Sequence, residues 1–520
     1  MKAGRGGGTS IVHTCFNCGQ LGHKSNDCTS LKLALGSGKG GRGDQGRSKG
    51  GIGKGGGRKG AGGADDQRAL NAQLARAADR AEINQLVLQH CAEFNSVNCA
   101  TALHRLAKCA PSSSSSLAAT DAHWKKSWSA AAKASAAKAT SSSDDATVED
   151  LLCRRCVTLL EEGSEVTARS LTSIAWATGK LKLAHAPLCA AFSAQAAIQV
   201  ARGGLDAFGI ANVAWALATL HMTAQPGDGD SAGNTEDGST RRDASSIAVP
   251  QPASATPSRL LDTLAEAAIS NGTIDEFKPQ ELCNLLWAFA TLRRPHAALF
   301  DAAARSASRR METFSAQGLS QTVWAFAKLE LASPTLFQAA AEAALPRLST
   351  YDAQSVATLA WAFGAAGIEH AILAAGLSKV VLARPTDFDA TSCARLFWAL
   401  SRFNEGVDPA ALAQLSSRLT RVAAEEMQSK QLLYALGALA KLKSGGLEGG
   451  NEGGRHGGGG GGVEGAGASS LATFLCEAAS KAAPTLSASK LGITAWALSR
   501  PAVHAQLPVR ARVAWKAALR

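Results

Sequence analysis

Only two tyrosines and fifteen prolines occur in 520 residues, and aromatic residues together make up 5% of the chain. That scarcity argues against a β-sandwich or barrel and for helices, in a sequence dominated by alanine, leucine and serine. No run of eighteen apolar residues occurs and no apolar leader follows Met1, so a membrane-spanning helix and secretion are not expected. Twelve cysteines are present but show no disulfide framework. Three lie in one N-terminal motif, and nine are scattered through apolar helical segments such as those of Cys283, Cys393 and Cys476. A reducing compartment is expected. No paired carboxylates, serine nucleophile or phosphate loop stands out, so the protein is expected not to be an enzyme.

Positive charge is present and unevenly placed. The formal net charge is +12, yet residues 1–63 hold eleven Lys or Arg against Asp27 and Asp44 alone. From Gly36 to Gly63 fifteen of 28 residues are glycine, interleaved with Lys39, Arg42, Arg47, Lys49, Lys54, Arg58 and Lys59. Such a segment buries too little surface to offset its ordering entropy and is expected to be a disordered basic arm over 31–66. Its chemistry suits a polyanion, with nucleic acid ahead of an acidic membrane surface.

Ahead of the arm, Cys15, Cys18, His23 and Cys28 follow one another at C-x2-C-x4-H-x4-C spacing. Three thiolates and one imidazole close a tetrahedral site, and Gly19 and Gly22 suit the backbone turns such wrapping needs. One structural zinc ion is expected; with four protein ligands no position stays open for an activated water. The stretch "CFNCGQLGHKSNDC" resembles the retroviral-type zinc knuckle. That resemblance implies binding of single-stranded RNA or DNA, with unstacked bases resting on apolar side chains. Phe16 matches the aromatic that follows the first cysteine in that family. Lys24 stands where a second apolar residue often follows the histidine and favours phosphate contact. The following arm resembles the Arg/Gly-rich tails of RNA-binding proteins, in which Lys39, Arg42 and Arg47 would meet phosphates without sequence preference.

The rest of the chain is long enough for several domains or one extended array, and it carries a repeated phrase: "LTSIAWATGKL", "IANVAWALATL", "LCNLLWAFATL", "LSQTVWAFAKL", "VATLAWAFGAA", "CARLFWALSRF", "KQLLYALGAL" and "LGITAWALSR". Its anchors are Trp176, Trp215, Trp287, Trp324, Trp361, Trp398, Tyr434 and Trp496, with His104 in register in a degenerate first copy. The four tryptophans from 287 to 398 are spaced 37 residues apart. Three longer gaps each contain a low-complexity stretch, at 111–146, 224–258 and 444–468, and without it each returns to roughly one period. The expected fold is all-α: an α-solenoid of about nine two-helix repeats over residues 67–520, preceded by a disordered 1–12, the knuckle at 13–30 and the arm, with the three stretches as disordered insertions.

Counted from the anchor, positions minus 5, minus 2, plus 2 and plus 5 are mostly apolar, as in Leu282, Leu285, Phe289 and Leu292, which marks the buried face. The tryptophans are expected to belong to that core. Position plus 3 is always small and would let neighbouring helices approach. Position minus 3 is polar in eight of nine units: Thr101, Ser173, Asn212, Asn284, Gln321, Thr358, Arg395 and Gln431. Position plus 4 is basic in five: Lys108, Lys180, Lys328, Arg402 and Arg500. Seven residues are about two helical turns, so the two rows share a face. Stacked units would align them into a stripe that holds a single strand of RNA at roughly one nucleotide per unit; the alternative is an ordinary solvated helix face. Cys153 and Cys156 form a C-x2-C within a helical pattern and are expected to be structural.

The "LxxLLWAFAxL" phrase resembles the helical repeats of organellar RNA-binding families: the octotricopeptide and heptatricopeptide repeats and the leucine-rich region of the FAST kinase-like proteins. The resemblance spans roughly residues 82–520. It implies an α-solenoid that binds single-stranded RNA in mitochondrial or chloroplast RNA processing, stability or translation. The C-terminal RAP module of many such proteins is not recognised here, and "ARVAWKAALR" reads as part of a further helix. The expected partner is single-stranded RNA, with single-stranded DNA second and proteins along the solenoid third; neither a membrane nor a small-molecule substrate is expected. By that resemblance the expected location is a mitochondrion or chloroplast, with cytoplasm or nucleus as the alternative. The competing class is an armadillo-like protein scaffold whose knuckle and arm alone touch nucleic acid.

Overall fold

In the computed structural model, the residues described are 62–110, 147–162, 166–183, 185–224, 257–422, 428–442 and 466–519. The knuckle, most of the basic arm and nearly all of the three low-complexity stretches therefore lie outside the described residues. From Gly62 onward the chain forms one compact unit. Every regular element among its described residues is a helix, without a strand.

Most anchor helices start from a cap that the sequence writes at fixed distance from its anchor; the helix of Tyr434 is capped three residues nearer, at Gln428. At minus 9, Asn95, Thr167, Asp206, Ser315, Asp352 and Asp389 each accept a hydrogen bond from the backbone N–H three residues on, at 2.8–3.1 Å. The first turn of a helix has unpaired N–H groups, so such a cap contributes about 1 kcal/mol and fixes where the helix begins. At minus 10 a buried Phe94, Val166, Phe277, Phe314, Tyr351 or Phe388 pins the entering chain to the core. The helix beginning at Pro279 uses the reciprocal device: Glu281 accepts from the Lys278 N–H at 2.9 Å, and Pro279 needs no partner in the first turn.

The anchor helices end as regularly. Leu183, Arg294, Leu331 and Ile368 each donate their N–H to the carbonyl five residues back, Thr178, Phe289, Phe326 and Phe363, at 2.9–3.1 Å. Closing that turn requires the preceding residue to be left-handed. Lys182, Arg293 and Glu330 adopt φ of 57°, 51° and 58°, where Gly367 sits at 65° without penalty. In three units the partner helix is then started by a histidine at plus 9. His185, His296 and His370 accept from the N–H of Leu188, Leu299 and Leu373 at 3.1–3.2 Å through Nδ1.

Two layers result. The anchor helices Ser96–Cys109, Ala168–Leu181, Ala207–Ala224, Pro279–Thr291, Ala316–Lys328, Ala353–Ala366, Ala390–Leu400, Ser429–Lys441 and Ala488–Ser499 pack each on the next. The partner helices, from Arg80–His90 through Val148–Glu161 to Ala466–Ala482 and Val509–Ala518, form the second layer in the same order. This is the expected α-solenoid. Consecutive units touch across all three long gaps: the helix of His104 lies on that of Trp176, that of Trp215 on that of Trp287, and that of Tyr434 on that of Trp496. One helix was not anticipated: Gly62–Arg76 begins inside the stretch expected to be arm and packs on the first anchor helix.

Between the layers, Phe289, Phe326 and Phe363 at plus 2 are fully buried, and Phe326 and Phe363 meet Phe300 and Phe337 of the partner layer edge-on, with ring centroids 4.8 and 4.9 Å apart. Burying each such ring contributes about 2–3 kcal/mol. The units are tied further by side chains reaching carbonyls of the unit before: Arg155 Nε to Phe94 at 2.9 Å, Gln199 Nε2 to Val166 at 3.0 Å and Arg384 Nη2 to Tyr351 at 2.9 Å.

Candidate nucleic-acid interface

The tryptophans depart from expectation. They pack against the core but are not part of it: Trp176, Trp215, Trp287, Trp324, Trp361 and Trp398 are only partly buried, and Trp496 is 53% exposed. The reason is spatial. Phenylalanine at plus 2 fills the space between the layers in the central units, and the indole, two positions away, is left at the margin. There it covers the seam between adjacent anchor helices. Trp361 and Trp398 stack with centroids 6.1 Å apart and planes 24° from parallel, Trp398 meets Tyr434 at 5.6 Å, and His104 meets Trp176 at 5.0 Å.

The small residue at plus 3 makes that seam possible. A Cβ on Gly179 would stand 2.7 Å from Cζ3 of Trp215. One on Gly364 would stand 3.4 Å from the same atom of Trp398.

Positions minus 3, the anchor and plus 4 thus lie on one strip of the anchor layer, repeated from unit to unit. Its members are not equivalent. Lys108 and Lys180 are exposed and have no partner of opposite charge among the described residues. Arg395 is half-buried and likewise has none among the described residues. Lys328 is half-buried. Arg402 is committed to the fold: its guanidinium lies 4.8 Å from the Trp398 ring centroid, its Nε donates to the Gly364 carbonyl at 3.0 Å, and burial pulls its pKa below the ordinary arginine value. Arg500 is exposed and lies 5.5 Å over the ring of Trp496.

The polar row is just as uneven. Asn212 is buried and donates to the carbonyl of Phe208 in its own helix at 2.8 Å. Gln431 is buried and donates to Thr391 at 2.9 Å while accepting from the Gln428 N–H at 3.0 Å. Gln321 accepts from the Cys283 thiol at 3.0 Å, and Asn284 accepts from Gln280 at 2.9 Å, which leaves the amide N–H groups of both available. Asn212, Gln431 and Arg402 therefore carry local structure first. The Asn212 bond stays within its own helix, whereas those of Gln431 to Thr391 and Arg402 to Gly364 reach a neighbouring helix, which the repeat phrase does not show.

Sequence reasoning passed over Lys182 and Arg293 at plus 6, beside the end of the strip. Their left-handed φ is a consequence of the C-terminal turn. Burial, and next the charge of Lys180, lowers the Lys182 pKa. The pKa of His104 is lowered too, first by burial and then by Lys108 and Arg105, so the ring on Trp176 stays neutral near pH 7.

No cluster of His, Cys, Asp or Glu among the described residues could hold a metal ion. Cys153 and Cys156 are buried in the helix Val148–Glu161, and burial pushes the Cys153 thiol up to about 12. The expected zinc ligands Cys15, Cys18, His23 and Cys28, with Phe16, Lys24, Lys39, Arg42 and Arg47, lie outside the described residues. As a donor set, three thiols and an imidazole fit zinc. No helix of the described residues is long and apolar enough to cross a membrane.

An α-helical repeat array with one polar, aromatic and basic strip along its anchor layer is the class of protein this fold defines. Residues 14–30 match the family model of the zinc knuckle. Residues 256–445, the units of Trp287 through Tyr434, match the model of the RNA-editing substrate-binding complex 6 protein. The chain has no match among the curated proteins.

Proposed function

We propose that this protein binds single-stranded RNA and acts, without catalysis of its own, in RNA processing. The observation that carries the reading is a coincidence of position. The units matched by the model of an RNA-editing complex protein, 256–445, are those whose anchor layer presents Asn284, Gln321, Lys328, Thr358 and Arg395 beside half-buried indoles. Such a face meets the needs of a flexible single strand: cations for phosphates and hydrogen-bonding groups for base edges. The knuckle adds a second contact. Cys15, Cys18, His23 and Cys28 would hold zinc, which orders the loop so that Phe16 supports a base and Lys24 a phosphate; Lys39, Arg42 and Arg47 add sequence-independent attraction. The resemblance to organellar repeat families favours a mitochondrial or chloroplast site of action.

The test is binding of labelled single-stranded RNA to the full chain across a salt series. Lys108→Glu, Lys180→Glu and Lys328→Glu together should weaken binding and lower the slope of log K against log salt by about 0.7 per lost phosphate contact. Chelation of zinc should weaken binding separately. A chain that binds no single-stranded RNA at low salt would refute the reading. One observation favours a second reading, since the matched model describes a member of a complex. An array that serves as a protein scaffold would leave RNA binding unchanged in the triple variant and abolish it on zinc removal.

A further inference from the structure

The row one helical turn before the polar strip changes character along the array. At position minus 7 stand Val97, Arg169 and Phe208, then Gln280, Gln317 and Gln354, then Thr391. In the three central units a carboxamide at minus 7 is followed, four residues on, by another neutral hydrogen-bonding side chain: Gln280 by Asn284, Gln317 by Gln321 and Gln354 by Thr358. Residues four apart on a helix have Cβ atoms about 5–6 Å apart, so both can face one base.

These pairs keep unused hydrogen-bonding capacity. Among the described residues Gln317, Gln354 and Thr358 have no hydrogen-bonding partner; Gln280 and Gln317 are exposed. Gln280 uses its amide N–H on Asn284, which leaves the Gln280 carbonyl and the Asn284 amide free. Gln321 spends only its carbonyl, on Cys283. No other unit carries a carboxamide at minus 7, and several members of the two rows are taken up elsewhere: Asn212 and Gln431 are bonded within the fold, Thr391 accepts from Gln431, and Phe208 is a 53% exposed ring. A carboxamide offers a donor and an acceptor together, the combination that discriminates base edges, whereas lysine and arginine on phosphates carry no sequence information.

We propose that Gln280 with Asn284, Gln317 with Gln321, and Gln354 with Thr358 are base-reading pairs, each taking one nucleotide of a single strand. The array then discriminates three consecutive bases and holds the flanking strand by charge. The inference rests on the RNA-binding reading above.

The test is selection by the full chain from a random single-stranded RNA library. The native chain should enrich a short motif. Gln317→Ala with Gln321→Ala should relax preference at the middle position about tenfold, the order expected for one lost base contact, with the melting curve unchanged. Thr358→Gln makes the Trp361 unit a copy of the Trp324 unit and should give the neighbouring position the same preference. Gln338→Ala, exposed on the partner layer, should leave the motif intact. RNA bound without any motif, a motif unchanged in the double variant, or affinity lost equally for all sequences would each overturn the pairs while leaving RNA binding standing. Absence of RNA binding by the native chain would instead fail the functional reading itself.

Discussion

Gly179→Ala sets two opposing effects against each other at the seam. Alanine is the better helix former by about 1 kcal/mol, and Gly179 lies within Ala168–Leu181 without a left-handed φ, so propensity alone predicts a more stable protein. The new methyl would nevertheless stand 2.7 Å from Cζ3 of Trp215 and 3.4 Å from the backbone of Ala216. Neither is the tip of a flexible chain. Overpacking of this kind costs about 1–3 kcal/mol, which leaves a net loss of up to about 2 kcal/mol. Gly492→Ala is the control: it too is helical, and its Cβ meets nothing within 4 Å, so it should gain the propensity in full. Stacked repeats need not unfold in one step, so amide exchange in 168–181 and 207–224 should be followed beside chemical denaturation. The two variants should differ by about 1–3 kcal/mol in opposite directions. Equal stabilisation by both would refute the close approach at plus 3.

Glu330→Gly should stabilise the chain by about 1 kcal/mol, because it removes a Cβ from φ 58°; no gain in the denaturation midpoint would count against strain at the C-terminal turn. Arg384→Leu removes the bond to the Tyr351 carbonyl and should cost about 1–3 kcal/mol, seen as faster amide exchange around 351–356. Burial pushes Cys153, Cys283 and Cys393 up to about 12. At pH 8 they stay protonated, so iodoacetamide should spare them in the folded chain and modify them in denaturant; modification at the rate of a free thiol would show the helices open. The pKa of His104 is lower in the folded state than in the unfolded, so its contribution is present above the unfolded value and is lost as pH falls through the folded one. The melting temperature should decline below about pH 6.5, and His104→Gln should shrink that decline.

The period was readable because the anchors from Trp287 to Trp398 recur without interruption. The caps were readable in principle too, since Thr167, Ser315, Asp352 and Asp389 stand at one offset in residue types that cap helices. Burial of the indoles was not readable. Apolar periodicity assigns a residue to the inward half of a helix but does not say whether it stands at the centre or the edge, and the phenylalanine at plus 2 decided that. Nor could the phrase separate Gln321, with a free amide, from Gln431, which lies in the first turn of its helix, accepts from the Gln428 N–H there and donates to Thr391 of the adjacent unit. The leading helix Gly62–Arg76 was hidden by its own start, two glycines continuous in composition with the arm.

The marginal position of the indoles also gives the array an optical property. Trp361, Trp398 and Tyr434 form a chain of contacts beside Arg395, and Trp324 lies beside Lys328. A strand laid along that face would alter the polarity around these chromophores, whereas a strand held only by the knuckle and arm would leave their emission unchanged. Tryptophan emission can therefore show, without a label, whether the proposed strand lies along the array.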